Sequence, residues 1–295
     1  MLKWVMLLLG IPPARGNITY VFEAFSLARK QCSPCSLFYA MSLRSALMIS
    51  TVMLLGLLRT GRSSARCNIP RQDLELSLDE RGELALPDTP LIFVDSGRNS
   101  ELRRLTLRSH LLEHYGSEIV TLSSSNTYSH DTVRWTLGEY IAGLSNETAS
   151  SDASKNYYLF GGNYNKFWKH LEGIYEGPPC RHCLTAGART PGLGGNCSGV
   201  AFHMHGPGFS EVLHGRKLWL LYPPDTYPKH FSPDMSTCEW YTRYYAEVVE
   251  DPHLHECSIG PGEILYFPDR WVHATLNLDE YTFFMSLFLD KSLFR

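Results

Sequence analysis

The sequence has no long run of lysine and arginine, and neither sign of charge is in marked excess. Its 295 residues carry 27 Lys and Arg against 30 Asp and Glu, a formal net charge of −3. Binding to nucleic acid depends on a basic face that releases counterions from the phosphates. We therefore expect no nucleic-acid partner. Because 44% of the residues are hydrophobic, the chain can nevertheless bury a full core.

Apolar runs long enough to span a bilayer comfortably are also missing. The run at 46–58 follows Arg44 and precedes the small residues 63–65, a pattern typical of a secretory signal. We predict that residues 1–66 are an N-terminal extension and signal with Met41 as the working initiator, and that no stable membrane span remains after cleavage. An uncleaved signal-anchor helix is the alternative. The C-terminus carries neither a receptor-read retention signal nor a hydrophobic tail for a lipid anchor.

Six cysteines follow residue 66, an even number that allows fifteen complete pairings. Secretion would place them in an oxidising compartment, where disulfides form. Cys180 and Cys183 have the spacing of a redox pair, but they follow a turn-rich stretch, which favours a structural disulfide or unpaired thiols. Asn146 and Asn196 begin glycosylation sequons and are candidate glycosylation sites.

Residues 67–295 predict a single domain whose character changes near residue 198. The part at 67–197 mixes helices and strands, whereas 198–295 has short apolar strands separated by Gly and Pro, as in a sandwich or barrel. Hydrophobic spacing predicts helices at 100–115, 132–144 and 167–175. It predicts strands at 90–95, 118–122, 209–213, 217–222, 263–267 and 281–288, with 209–213 and 217–222 forming a hairpin.

His203 and His205 are the most informative residues of this second part. Alternate side chains of a strand point to one face, so the two imidazoles should point the same way. Lys217 and His273 follow on later strands. Three imidazoles on a small barrel could hold one metal ion, although each histidine taken alone is more simply a core or surface residue.

The order of these segments resembles the cupin-like JmjC family. The matching stretches run from Phe202 through Pro224, with Gly-Arg-Lys-Leu-Trp-Leu-Leu-Tyr-Pro-Pro, and from Gly262 through Asn277, with Phe-Pro-Asp-Arg-Trp-Val-His-Ala-Thr-Leu-Asn. The resemblance implies an all-β core with N-terminal helices, folded as a double-stranded β-helix or jelly roll. It also implies a site that holds Fe(II) through a His-x-Asp/Glu pair and a distant His.

Carried over position by position, the resemblance assigns His203 and His273 to the two metal histidines. It assigns Lys217 to the base that pairs with a carboxylate of 2-oxoglutarate, although a strand lysine with its charged end in solvent is an equal alternative. His205 stands in place of the Asp/Glu ligand, and Val200 in place of a Thr that hydrogen-bonds the co-substrate. Without the carboxylate, Cu(II), Ni(II) or Zn(II) would compete strongly with Fe(II).

Glu211 is a candidate fourth ligand, because ordinary cupins often place a glutamate shortly after the two histidines. The interval is longer here, and the turn at 206–208 leaves the direction of the side chain open.

Two functions remain. The favoured one is a JmjC scaffold of weak or no catalytic activity with a regulatory or protein-binding role, because the departures fall on the reaction centre itself. The alternative is an Fe(II)- and 2-oxoglutarate-dependent protein hydroxylase that uses a three-histidine site. The resemblance and the signal together imply the endoplasmic-reticulum lumen or secretory pathway. The sequence does not identify the protein partner.

Overall fold

A computed structural model describes residues 66–95, 97–125, 131–144, 157–161, 166–180 and 187–289, which all belong to one compact unit, Ser64–Arg295. The predicted signal, the start at Met41, Asn146 and Cys183 lie outside the described residues. The predictions made for them, and the domain boundary at residue 66, stay predictions.

Twelve strands in the described ranges form two sheets. The large sheet has the order β1-β2-β10-β7-β12-β6-β5-β3-β4, and the small sheet has the order β11-β8-β9. The strand bounds are β1 Arg71–Asp73, β2 Leu91–Val94, β3 Ile119–Ser124, β4 Thr132–Thr136, β5 Tyr157–Phe160, β6 Gly187–Gly194, β7 Gly208–His214, β8 Lys217–Tyr222, β9 His255–Ile259, β10 Glu263–Phe267, β11 Val272–Asn277 and β12 Thr282–Leu289.

Five α-helices are present in the same ranges. Their bounds are α1 Ser100–Leu105, α2 Arg108–Tyr115, α3 Leu137–Gly143, α4 Lys166–Ile174 and α5 Thr237–Val248. The first four contribute to a hydrophobic cluster on the outer face of the large sheet. Helix α5 packs through Trp240 and Val248 on the outer face of the small sheet. The fold is therefore an all-β jelly roll with helices outside it, as the sequence predicted.

Alternation along the strands decides which side chains enter the space between the sheets. On β8, Trp219 and Leu221 pack inward against Phe267 and Phe284 of the large sheet. The intervening Leu220 packs outward against α5. Because successive strand residues point to opposite faces, Lys217 shares the inward face with Trp219.

The predicted hairpin of 209–213 with 217–222 is wrong. Strand β7 pairs with β10 and β12 in the large sheet, whereas β8 pairs with β11 and β9 in the small sheet. Gly215 lies where the chain passes from β7 of the large sheet to β8 of the small sheet. Its φ is 72°, a backbone conformation that costs glycine little. A Cβ atom at this position would collide with the carbonyl oxygen of Tyr281.

Two of the predicted helices also differ from the structure. The segment 100–115 is split, because Leu107 is extended (φ −57°, ψ 137°) and separates α1 from α2. The hydroxyl of Tyr281 donates to the Thr106 carbonyl over 2.6 Å, which compensates for the helical bond lost at the break.

The segment 132–144 begins as strand β4, where Val133 pairs with Leu122 of β3. It becomes helix α3 only after Thr136, whose side chain accepts a hydrogen bond from the Glu139 backbone while the Glu139 carboxylate accepts from Thr136. This reciprocal cap fixes the helix start.

The predictions at 90–95, 167–175 and 263–267 are confirmed within one or two residues.

Two disulfides join distant parts of the unit. Cys67 is bonded to Cys257 of β9, and Cys197 is bonded to Cys238 of α5. Cys180 is also disulfide-bonded and is 2% exposed. The bond at Cys180 excludes an unpaired thiol there, and its structural rather than redox role stays a prediction. Among the described helices, none combines the length and apolar character needed to cross a membrane.

Candidate metal centre

The rings of His203, His205 and His273 meet between the two sheets. The backbones of His203 and His273 bond to each other in both directions, with N···O distances of 3.0 and 2.9 Å. The ring centroids of His203 and His273 lie 4.3 Å apart, those of His205 and His273 4.7 Å, and those of His203 and His205 5.1 Å. One potential ligand atom from each ring lies within 4.8 Å of the other two. The predicted convergence of two distant segments is thus present.

Backbone carbonyls orient all three rings. The Nδ1 atom of His203 lies 2.8 Å from the Ala201 carbonyl oxygen, and that of His273 lies 2.8 Å from the Trp271 oxygen. The Nδ1 atom of His205 lies 2.7 Å from the Gly206 oxygen. Since a carbonyl only accepts, each Nδ1 carries the proton and Nε2 is the unprotonated nitrogen. Such outer hydrogen bonds fix the tautomer that binds a metal.

Burial keeps the imidazoles of His203 and His273 neutral. Burial, with a smaller contribution from His205, lowers the pKa of His203 to about 4. The same effect, with contributions from its two neighbours, holds the pKa of His273 well below its ordinary value. Neutral imidazole is the form that binds metal ions, so the donor set fits a divalent ion of the later transition series.

Lys217 reaches the same interior space, and its side chain is 2% exposed. Its Nζ donates to Asn277 Oδ1 over 3.3 Å and lies 3.7 Å from the centroid of the Phe284 ring. No carboxylate of the described residues pairs with it. Burial lowers the pKa of Lys217 to about 7. The alternative of a lysine with its charged end in solvent is therefore excluded.

The cavity between the histidines and Lys217 is small, about 30 Å³. It has room for one or two water molecules or an ion. Aromatic side chains narrow it, namely Phe160, Trp219, Phe267, Phe284 and Phe288.

The chain matches known proteins over most of its length. It is 43% identical to JmjC domain-containing protein 8 of Mus musculus over 201 residues, which are 68% of this chain and 74% of the mouse protein. It is 40% identical to JmjC domain-containing protein 8 of Homo sapiens over 225 residues, or 76% of this chain and 84% of the human protein. The chain belongs to the JmjC family.

A more distant JmjC relative is Lysine-specific demethylase JMJ21 of Arabidopsis thaliana. It is 30% identical over 146 residues, which are 44% of this chain and 15% of that protein. No protein-family model matches the chain.

Within the JmjC fold, the position of Val200 is close to a hydroxyl from another strand. Thr275 lines the cavity, and its Oγ1 accepts a hydrogen bond from the Val200 backbone over 3.1 Å. The hydroxyl proton can therefore still be donated into the cavity. The sequence analysis missed Thr275 and Asn277, although both follow His273 at the two-residue period of β11 and so share its inward face.

Trp219 supplies a further hydrogen-bond donor at the cavity. Its side chain lines the cavity and is 4% exposed. Its Nε1 has no hydrogen-bond partner among the described residues. A buried unpaired N–H is costly, so this group favours a polar occupant of the cavity.

Glu211 does not join the three histidines, which corrects its candidacy as a fourth ligand. The carboxylate lies among the N-terminal helices, where Asn99 donates to Oε2 over 2.8 Å and Arg103 lies 3.3 Å from Oε1. Burial raises the pKa of Glu211 to about 7 against the opposing effect of Arg103. The strand alternation explains the result, because Ser210 faces Ser286 of the cavity and Glu211 must then face the other way.

Asn196 lies in an exposed turn after β6. The site is accessible, and its glycosylation stays a prediction.

Proposed function

We propose that this JmjC protein is a scaffold of weak or no catalytic activity that acts by binding a protein partner in the lumen of the secretory pathway. The packing around Lys217 carries the proposal. The Phe284 ring and Asn277 cover the ammonium group at 3.7 and 3.3 Å, where a co-substrate carboxylate would have to bind. The cavity of about 30 Å³ is small for the ten heavy atoms of 2-oxoglutarate, and Phe284 narrows it.

The ligand set supports the same proposal. His203, His205 and His273 would hold a divalent ion through their Nε2 atoms, and the ion would supply a Lewis-acid centre when bound. Three neutral imidazoles neutralise none of its charge, whereas the family's carboxylate ligand neutralises part of it. They suit Zn(II), Ni(II) or Cu(II) as well as Fe(II). The residues therefore favour metal binding over efficient oxygen chemistry.

Two observations support the lumenal location. Disulfides persist in oxidising compartments, and the bonds Cys67–Cys257 and Cys197–Cys238 cross-link the domain. Asn196 is exposed where a glycan would attach. Glycosidase treatment of protein from secretory cells, with Asn196→Gln and Asn146→Gln as controls, tests this location. Protein that carries no glycan and fractionates with the cytosol would contradict it.

The second candidate function is an Fe(II)- and 2-oxoglutarate-dependent protein hydroxylase. Unsatisfied donors in the cavity favour it, since Lys217 has no carboxylate partner and Trp219 Nε1 has no acceptor among the described residues. In that case Lys217 would bind the distal carboxylate and Thr275 would donate its hydroxyl proton to the same oxygen atoms. Phe284 would have to rotate away from Nζ first.

One experiment separates the two functions. Untagged protein is analysed for metal, and succinate release from 2-oxoglutarate is measured after loading with Fe(II). Stoichiometric iron with succinate release that Lys217→Met abolishes would reject the scaffold. Metal binding without succinate release, and without thermal stabilisation by millimolar 2-oxoglutarate, would reject the hydroxylase.

Phe284→Leu adds a sharper test, because it shortens the side chain that covers Lys217. A scaffold closed by Phe284 should bind 2-oxoglutarate only in this variant, and the double variant Phe284→Leu/Lys217→Met should lose the gain. Equal binding by the wild type and Phe284→Leu would show that Phe284 does not close the site.

A further inference from the structure

Three metal-binding side chains share one surface of helix α2, outside the jelly-roll interior. The helix contains His110-Leu-Leu-Glu-His114, so His110, Glu113 and His114 stand at positions i, i+3 and i+4. Residues with these spacings are neighbours on a helix surface. Leu111, the residue after His110, is fully buried and anchors the helix to the domain. The backbone therefore holds two imidazoles and one carboxylate together on a supported turn.

The three side chains are near neighbours. The ring centroids of His110 and His114 lie 4.3 Å apart, and Nε2 of His114 lies 3.8 Å from Oε2 of Glu113. Tetrahedral zinc with Zn–N distances of about 2.0–2.1 Å brings two ligand nitrogens to roughly 3.3 Å. The side chains of His114 and Glu113 are 50% and 74% exposed, so small rotations suffice to bring the three groups onto one ion.

The spacing itself is one that proteins use for zinc. Two histidines at i and i+4 on a helix bind zinc in metallopeptidases, both in the order His-Glu-x-x-His and in the order His-x-x-Glu-His found here. A peptidase needs a third distant ligand and a substrate cleft. Glu113, which is the general base in those peptidases, is proposed here as a ligand, so the site would be structural or regulatory.

We propose that His110, Glu113 and His114 bind one divalent transition-metal ion, with Zn(II) as the physiological class and water completing the coordination. The site is separate from the three jelly-roll histidines and does not rest on the proposed function. An ion that bridges two turns of α2 binds only the folded helix, and therefore stabilises the domain.

The test is a calorimetric titration of untagged full-length protein with ZnCl₂ in a non-chelating buffer. The wild type should bind one equivalent more than His110→Ala/His114→Ala. Glu113→Gln should weaken that equivalent about tenfold. His253→Ala is the control, because His253 is an exposed histidine in the segment between α5 and β9, and it should bind like the wild type.

Two further measurements keep the result unambiguous. In His203→Ala the jelly-roll histidine set is incomplete, so a visible absorption band on adding Co(II) would come from the site on α2. The double variant His110→Ala/His114→Ala should lack this band in its Co(II) spectrum when compared with the wild type. Circular dichroism confirms that each variant is folded. Equal zinc stoichiometry and equal zinc-induced thermal shifts in the wild type and the double variant would overturn the proposal.

Discussion

Replacing Lys217 by methionine should stabilise the metal-free protein at neutral pH. Burial lowers the pKa of this amine from 10.5 to about 7, and a tenfold change in proton affinity corresponds to about 1.4 kcal/mol. At pH 7 the lysine therefore costs on the order of 4 kcal/mol of folding free energy. Methionine removes this cost but loses the hydrogen bond to Asn277, about 1 kcal/mol, and the cation–π contact with Phe284, also about 1 kcal/mol. The net gain is roughly 2 kcal/mol.

The pH dependence has a definite sign. The unfolded chain binds the Lys217 proton up to pH 10.5 and the folded chain only up to about pH 7, so wild-type stability rises with pH between these values. Between pH 7 and pH 10 the free energy of unfolding of the wild type should rise by roughly 3 kcal/mol relative to that of Lys217→Met. The variant should therefore be the more stable protein at pH 7, and the wild type at pH 10.

Urea unfolding of metal-free protein at the two pH values measures this difference, and other titrating groups cancel between wild type and variant. Lys229→Met is the control, because Lys229 is exposed and its substitution should leave the pH dependence unchanged. If Lys217→Met differs from the wild type by the same amount at pH 7 and pH 10, Lys217 is not buried without a counter-charge.

Three further predictions concern other parts of the domain. His205→Asp should raise the Fe(II) affinity at least about tenfold in metal titrations, because it restores a carboxylate ligand. The exposed control His230→Asp should leave the affinity unchanged. An unchanged Fe(II) affinity in folded His205→Asp would remove His205 from the site. Burial raises the Glu211 pKa to about 7, so the free energy of unfolding of the wild type should fall by up to about 3 kcal/mol relative to Glu211→Gln between pH 4.5 and pH 7.5. Urea unfolding measures the difference, and parallel pH profiles of the two proteins would contradict it. Cys197→Ala/Cys238→Ala removes a disulfide that spans 41 residues, and it should lower the free energy of unfolding in guanidinium by about 4 kcal/mol. Equal unfolding midpoints of wild type and variant without reductant would show that the disulfide does not form.

The predictions that held depend on local spacing. Strand β10 is recognisable from its own residues, because a buried apolar strand between Gly and Pro has few alternatives. Strand β6 was missed because it contains Pro191 and three glycines, residues that disfavour a strand interior. A Cβ atom at Gly192 would collide with the Phe284 ring, so the glycine leaves space for a side chain of another strand. That requirement is invisible in the local sequence.

The sequence by itself determined the family and the jelly-roll class through its resemblance to JmjC proteins. The same resemblance singled out His203, His205, Lys217 and His273, because the matching motifs lie within short segments. Only the tertiary structure decided that Glu211 turns away from the histidines and that Phe284 and Asn277 cover Lys217. These contacts join residues from different strands and opposite sheets. Their geometry depends on register and packing between segments tens of residues apart, which periodicity within one segment does not encode.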